Sequence, residues 1–533
     1  ARRSSQLFAS DCGVPVKELV YHRMLLPQIE RHADKVAFID GEYRATFAEH
    51  IDRVARLSHA LQHQLGIGKQ DRFAVLALNS HQYEELWHAA FLGAGIMNPL
   101  NLRLAAPELE YILSNSGTKV VFTDFLFANV VDQVREAAGI EQVVLIGDLD
   151  GPHDLKYEDL IAAGEPVLPD EPDEDDPVVL MYTGGTTGLP KGVLLDQRAE
   201  MINLYHVAML FGLDENIINL NQTPMFHAAT MGGILGVPAA GGTSTFVSMF
   251  DPVRVLDTME AEKATWTVMV PTMIGLVLNH PEFRPERMSS LDVLVYGASP
   301  MPTALLERLL SMYPDLRVYQ GYGMTEASAV LTVLGPEEHR SGGSLLRSAG
   351  RAVPGASLTI RDSHGAPVAT GETGEVWARA GNFMREYWGN PEATEEAFAE
   401  DWYHTGDAGY LDAQGYLYLV DRVKDMVITG GENVYSSEVE NAIATHEAVA
   451  QVAVIGIPDP KWGEAVHAIV VLNEGSSATE DEIREWAKTT IAGYKVPKSI
   501  EFRAEPLPLS GAMKVLKREL RQPYWGDHDR GVG

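Results

Sequence analysis

Cysteine is almost missing from this chain: Cys12 is the only one in 533 residues, so no internal disulfide can form and a reducing cytoplasm is the expected setting. Basic residues are scarce too. Against 74 aspartates and glutamates stand 42 lysines and arginines, a formal charge of -32 that argues against a general nucleic-acid or anionic-membrane surface. No run of eighteen apolar residues occurs, and the basic start Ala1 to Gln6 has no apolar segment behind it, so neither a membrane span nor a secretory peptide is expected. Short-period repeats are absent as well.

What is present suits a large α/β enzyme. The length exceeds what one core holds, and 45% hydrophobic residues fill ample interior. In the first third, a helical pattern from Thr46 to Leu65 alternates with strand-like Phe73 to Leu78 and Lys119 to Thr123, which predicts parallel sheets covered by helices. Gly164 to Pro177 reads as a solvated connector. Beyond Gly350, glycine and proline turns separate short strands, among them Ser357 to Ile360 and Gly374 to Ala378, a small β-rich region. An α+β unit follows Lys424, where Thr479 and Glu482 offer a capping box and Ile483, Trp486, Ala487 and Ile491 share one helical face.

The stretch Tyr182 to Gly192 carries the chemistry. It packs Thr183, Gly184, Gly185, Thr186, Thr187, Gly188 and Lys191 into one loop, where backbone N–H groups, hydroxyls and one ammonium can converge on phosphate oxygens. Leu189 and Pro190 separate Gly188 from Lys191, so it is not the P-loop of a kinase or ATPase. Downstream, Thr325 and Glu326 follow a glycine–aromatic–glycine turn, placing a hydroxyl for an α-phosphate beside a carboxylate for Mg2+; alone, Glu326 is an ordinary loop acid. Asp407 has two acceptor oxygens for a pair of ribose hydroxyls, and alone reads as a turn residue.

Taken together and in order, these motifs resemble the adenylate-forming superfamily of acyl-CoA synthetases, firefly-type luciferases and peptide-synthetase adenylation domains. Tyr182 to Gly192 is similar to its phosphate loop, with Gly184 in place of serine. Tyr319 to Glu326 resembles its adenine and magnesium motif, Tyr403 to Asp407 its ribose motif, Asp421 to Tyr435 its hinge and thiol-tunnel segment, and Gly511 to Lys517 its catalytic-lysine motif. The resemblance implies ATP, Mg2+ and coenzyme A. It implies nucleotide contacts from Gly297, Ala298, Ser299, Gln320, Gly321, Tyr322, Gly323, Asp407 and Arg422, and a thiol passage lined by Gly430, Gly431, Glu432 and Asn433. It further implies a domain of residues 1–422, a mobile C-terminal domain of residues 425–533, and a hinge at Lys424 that rotates Lys514 onto the α-phosphate. Met513 stands where the family has glycine, and Lys517 competes with Lys514 for the catalytic role.

Phe226-His227 resembles the CoA-ligase pattern, with His227, Met231 and Met324 bordering an acyl pocket; a satisfied, half-buried histidine is the alternative. No acid stands there to pair an amino group. The expectation is an ATP-dependent acyl-CoA synthetase for a hydrophobic carboxylic acid, fatty or aromatic. A ligase loading a carrier-protein thiol, a luciferase-like oxygenase, a kinase or ATPase, and a non-catalytic nucleotide-binding protein are the alternatives. A homodimer is left open.

Overall fold

A computed structural model describes residues 19–183, 189–299, 301–422, 425–429, 432–509 and 515–525. Two large sheets dominate. The first has nine strands in the spatial order Arg351–Ala352, Thr332–Leu334, Arg317–Tyr322, Val293–Gly297, Trp266–Met269, Ile218–Asn221, Thr243–Phe246, Val36–Asp40 and Tyr43–Thr46, parallel through its middle. The second has eight, running Glu386–Tyr387, Lys191–Asp196, Pro177–Thr183, Ile96–Pro99, Arg72–Leu76, Val120–Asp124, Gln142–Ile146 and Leu155–Lys156. The expected α/β architecture with helix-covered parallel sheets is what forms.

Helices between the sheets explain the core. The helix Phe47–His63 starts at Thr46, whose side chain and Glu49 complete a capping box, and it buries Phe47, Val54, Leu57 and Leu61. These pack with Phe38 of the first sheet and Phe73, Phe122 and Val179 of the second in one apolar cluster. A π-helical turn at Gly232–Gly236 joins the helix Val237–Ala239 inside this layer. Pro238 has no N–H, so it cannot serve the carbonyl of Ile234 four residues before it. His88 does so instead, its Nε2 lying 3.2 Å from that oxygen. This fixes the tautomer: Nδ1 of His88 must accept from Nε2–H of His50 at 2.7 Å, while the Tyr21 hydroxyl donates to the Leu235 carbonyl at 2.9 Å. Burial holds His88 at a pKa of about 4, so the chain stays neutral.

Two smaller sheets follow. Ser357–Arg361, Gly374–Arg379, Trp402–Leu411, Phe398–Ala399 and Leu417–Arg422 form an antiparallel sheet, the expected β-rich region. The C-terminal sheet is built from Glu432–Val434, Val427–Thr429, Gly463–Leu472, Val449–Asp459 and Ser499–Arg503, with its own core around Val439, Val454 and Val466. Its helix Glu480–Lys488 begins in the capping box of Thr479 and Glu482. The face expected there is shorter than its spacing suggested. Ile483 and Ala487 are buried, but Trp486 is 41% exposed and Ile491 lies past the helix end. Thr489 and Thr490 turn their hydroxyls back onto the carbonyls of Trp486 and Ala487, which stops the helix.

Candidate active site

The phosphate stretch folds as a hairpin. Pro177–Thr183 pairs antiparallel with Lys191–Asp196, and the last matched pair, Thr183 with Lys191, closes the loop. Gly184, Gly185, Thr186 and Thr187 lie outside the described residues. Gly192 lets the hairpin close tightly, since a Cβ there would sit 3.0 Å from both Leu180 and Tyr182.

The hairpin meets Glu326 through a segment the motifs did not reveal. Glu386–Tyr387 adds a two-residue strand to the Lys191–Asp196 edge, with Tyr387 opposite Val193. From there the Tyr387 hydroxyl donates to Glu326 Oε1 at 2.9 Å and lies 3.2 Å from the Tyr403 hydroxyl, while the ammonium of Lys191 sits 4.9 Å from the centre of the Tyr387 ring. The backbone agrees, for Met384 N–H donates to the Glu326 carbonyl at 2.7 Å. Burial, then the Glu326 charge, pushes the Tyr387 pKa well up, so it remains a donor. Lys191 and Glu326, 135 residues apart, thus share one tyrosine.

The turn carrying Thr325 and Glu326 is held by close backbone approach. A Cβ on Gly323 would lie 1.9 Å from the Ala329 carbonyl oxygen, which only glycine tolerates. Beneath this turn lies Glu200, on the helix Gln197–Leu210; it is fully buried, and desolvation raises its pKa to about 8.

The adenine and ribose motifs also converge. The Tyr322 hydroxyl donates to Asp407 Oδ2 at 2.7 Å, and Asp407 is fixed by its N–H to Thr405 Oγ1 at 3.1 Å. Gly297 and Gly321 are partners on adjacent strands, and a Cβ on Gly297 would lie 2.3 Å from the Gly321 carbonyl oxygen. Ala298 next to them has φ of +64°, a left-handed conformation that a non-glycine residue adopts at a cost. Ser299 follows, half-buried. Gln320 points away: its side chain accepts from the Tyr296 hydroxyl at 3.1 Å, on the face opposite Gly321.

On the acyl side, Met231 is fully buried and shares the main cluster with Met324. His227 is half-buried and caps the turn Ala228–Thr230, its Nδ1 accepting from Ala229 N–H at 3.2 Å. Toward the C-terminus, Leu509 and Val515 pair antiparallel, and Arg103 donates to the Leu509 carbonyl at 2.8 Å. Arg103 is a contact that no motif indicated. Lys517 is engaged elsewhere, bonded to Ser436 Oγ at 2.6 Å and Glu440 at 2.7 Å. Burial opposes its charge, yet Glu440, Asp421 and Asp425 together hold its pKa above the ordinary lysine value. Lys514, Lys424, Gly430 and Gly431 lie outside the described residues, as do the side chains of Arg422, Glu432 and Asn433.

Among the described residues no cluster of three or more His, Cys, Asp or Glu side chains could hold an ion, and no helix is long and apolar enough to cross a membrane. Glu326 with Thr325 offers one carboxylate and one hydroxyl. That donor set suits magnesium, which binds through one or two carboxylates and the phosphates of a nucleotide.

Fold and site together define an adenylate-forming enzyme. The family model described as AMP-binding enzyme matches residues 26–388, and the one described as AMP-binding enzyme C-terminal domain matches residues 438–514. The chain is 40% identical over 488 residues to a feruloyl-CoA synthase of an Amycolatopsis species, covering 91% of this chain and 95% of that protein. It is 35% identical over 482 residues to a fatty acid–acyl-carrier-protein ligase of Streptomyces coeruleorubidus, covering 90% and 91%. The solved structure of an o-succinylbenzoate CoA synthetase from Bacillus subtilis, in complex with its acyl-adenylate intermediate, superposes with a TM-score of 0.82 at 29% identity, covering 93% of this chain and 97% of that one. The chain belongs to the AMP-binding enzyme family. It is an AMP-forming acid–thiol ligase, an acyl-CoA synthetase that works through an acyl-AMP.

Proposed function

We propose that this ligase activates a hydrophobic monocarboxylic acid, fatty or aromatic, and passes the acyl group to coenzyme A in the cytoplasm. The observation that supports the reading is the convergence of Lys191 and Glu326 on Tyr387, together with the Tyr322–Asp407 hydrogen bond, because these link the residues that this reading assigns to phosphate, metal and ribose. In this reading Thr183, Lys191 and the glycine loop take the β- and γ-phosphates, Thr325 contacts the α-phosphate, and Asp407 and Arg422 hold the ribose. Glu326 would hold Mg2+, which when bound neutralises pyrophosphate charge. The Gly297–Ser299 turn and Tyr322 flank the adenine.

The substrate carboxylate attacks the α-phosphorus in line, the bond to pyrophosphate breaks, and Lys514 stabilises the charge that develops. Rotation about Lys424 then removes Lys514 and brings the Gly430–Asn433 segment to line the thiol passage. The coenzyme A thiolate attacks the acyl carbon and AMP leaves with the bonding pair. Support for an apolar acid comes from the buried Met231 and the absence of an amine-pairing acid around His227, and from relatives named for ferulate and fatty acids.

The test is acid-dependent pyrophosphate release from ATP, with coenzyme A, with a phosphopantetheinylated carrier protein, and with neither. Thioester formed on coenzyme A from fatty or aryl acids is the expected result. Preference for an amino acid, or ADP in place of AMP, would overturn the reading. Loading of the carrier alone would move the chain to the second reading, which the carrier-protein ligase among its relatives favours.

A further inference from the structure

The chain is strained immediately after Thr325 and Glu326. Ser328 has φ of +48° and Ala329 φ of +92°, two consecutive non-glycine residues in the left-handed region. Such residues persist only where their surroundings over-determine them. Part of the cause is local: Ser328 N–H and Ala329 N–H donate back to the Thr325 and Met324 carbonyls, each at 3.1 Å, which closes the turn.

The rest comes from a residue far along the chain. Asn382 is fully buried, and its Nδ2 donates to the carbonyls of Ala327 at 2.7 Å and Val330 at 2.9 Å, the two residues that flank the strained pair. The Ser328 hydroxyl donates to the Asn382 carbonyl at 3.0 Å. Turning the amide over would set Oδ1 against two carbonyl oxygens, so its orientation is fixed. In that orientation Oδ1 has no hydrogen-bond partner among the described residues. Two left-handed residues and a buried, unpaired acceptor all lower stability, so the arrangement is kept for its shape.

That shape is tied to the phosphate hairpin. Asn382 opens a strap of residues 382–388, in which Met384 N–H holds the Glu326 carbonyl and the Tyr387 hydroxyl holds Glu326 Oε1. Between and beyond them, Arg385 N–H donates to the Leu194 carbonyl at 2.9 Å and Trp388 N–H to the Gly192 carbonyl at 2.7 Å. Residues 382, 384 and 387 grip the turn, while 385 and 388 grip the hairpin.

We propose that Asn382 is a positioning residue for the adenylating half-reaction: its amide holds the strained turn that sets Thr325 and Glu326 against the triphosphate, and its strap ties that turn to the hairpin of Lys191. The inference rests on the adenylate-forming reading above and adds to it a residue whose two amide hydrogens are both spent on the protein's own backbone. Without them the turn relaxes toward right-handed torsions. Glu326, next in the chain to Ala327, shifts with it.

Asn382→Leu keeps the volume and removes both bonds, and Asn382→Ala removes the volume too. Both lower kcat/KM for ATP in acid-dependent pyrophosphate release by roughly tenfold, the scale set by two hydrogen bonds. A readout independent of turnover is the tightening of ATP binding by Mn2+, followed by calorimetry, which shrinks by a similar factor. Ala329→Gly removes the left-handed penalty at its position, so in the Asn382→Ala background it recovers most of the lost rate and of the Mn2+ effect, and in the wild type it changes neither. Thermal melting confirms that each variant is folded. Wild-type rate and Mn2+ effect in Asn382→Leu would make Asn382 a packing residue, and failure of Ala329→Gly to recover either readout would separate the strain from function; each result overturns the proposal. Should no acid release pyrophosphate from the wild type, the ligase reading falls, while the Mn2+ measurement still decides whether Asn382 sets Glu326.

Discussion

Replacing Tyr387 by phenylalanine tests whether the shared tyrosine organises the phosphate end of the site. The substitution deletes the hydroxyl that lies 2.9 Å from Glu326 Oε1 and 3.2 Å from the Tyr403 hydroxyl, but keeps the ring 4.9 Å from the Lys191 ammonium. A hydrogen bond to a charged group contributes about 1.5–3 kcal/mol, and the half-buried Glu326 sets the expectation at the low end. The predicted loss in kcat/KM for ATP is therefore about tenfold, concentrated in the pyrophosphate-forming half-reaction and accompanied by weaker activation in a magnesium titration. Tyr387→Leu removes the ring as well, and the lost cation–π contact adds about 0.5–1 kcal/mol, a further twofold to fivefold. Rates are to be compared on protein whose melting is checked, because the buried ring also packs the core. If Tyr387→Phe retains half or more of the wild-type rate at limiting magnesium, Tyr387 is a packing residue and the link between Lys191 and Glu326 carries no function.

Glu200→Gln is expected to stabilise the protein at neutral pH. The unfolded side chain releases its proton near pH 4.5 while the folded one keeps it to about 8, so native stability falls as pH rises through that window, by about 3 kcal/mol at pH 7; equal melting of variant and parent at pH 7.5 would contradict the assignment. Lys514→Ala should cost about 2.7–4 kcal/mol in the first transition state with the fold intact, whereas Lys517→Ala should lower the melting temperature by taking the ion-pair partner from the half-buried Glu440. A folded but inactive Lys517→Ala protein would reverse those roles. Arg103→Ala removes its bond to the Leu509 carbonyl at the base of the segment leading to Lys514, so pyrophosphate formation should fall several-fold, about 1 kcal/mol, with thioester formation from a supplied acyl-AMP unchanged; equal losses in both steps would refute a role confined to the first.

Local features were the legible ones. The glycine-rich loop and the capping box of Thr479 and Glu482 could be read because their glycines, threonines and glutamate stand within a few residues of each other, and the sheet alternation because each strand repeats its own pattern. Tyr387 could not be read. Its strand is two residues long, too short for any periodicity, and its partners Lys191 and Glu326 are met only through folding. Glu200 was hidden for another reason: its helix is sandwiched between two sheets, so a charged residue that would face water on a surface helix is buried, and the spacing of apolar residues does not distinguish the cases. The exposure of Trp486 marks the reverse error, a helical face extended past two threonines that end it.

The suspended carbonyl of Ile234 reaches into the evolution of the enzyme. The π-helical turn it belongs to begins one residue after Met231, so the wall that would form the ceiling of the proposed acyl site hangs on Tyr21, His50 and His88, none of which belongs to a signature motif. Substrate range in such a protein is heritable in places that never meet substrate. Laboratory selection for a new acid should therefore recover changes at these three positions alongside those in the pocket wall, each acting by lowering or tilting the ceiling by a fraction of an ångström. Ancestral sequences exchanging one buried polar trio for another would carry the same mark of altered diet.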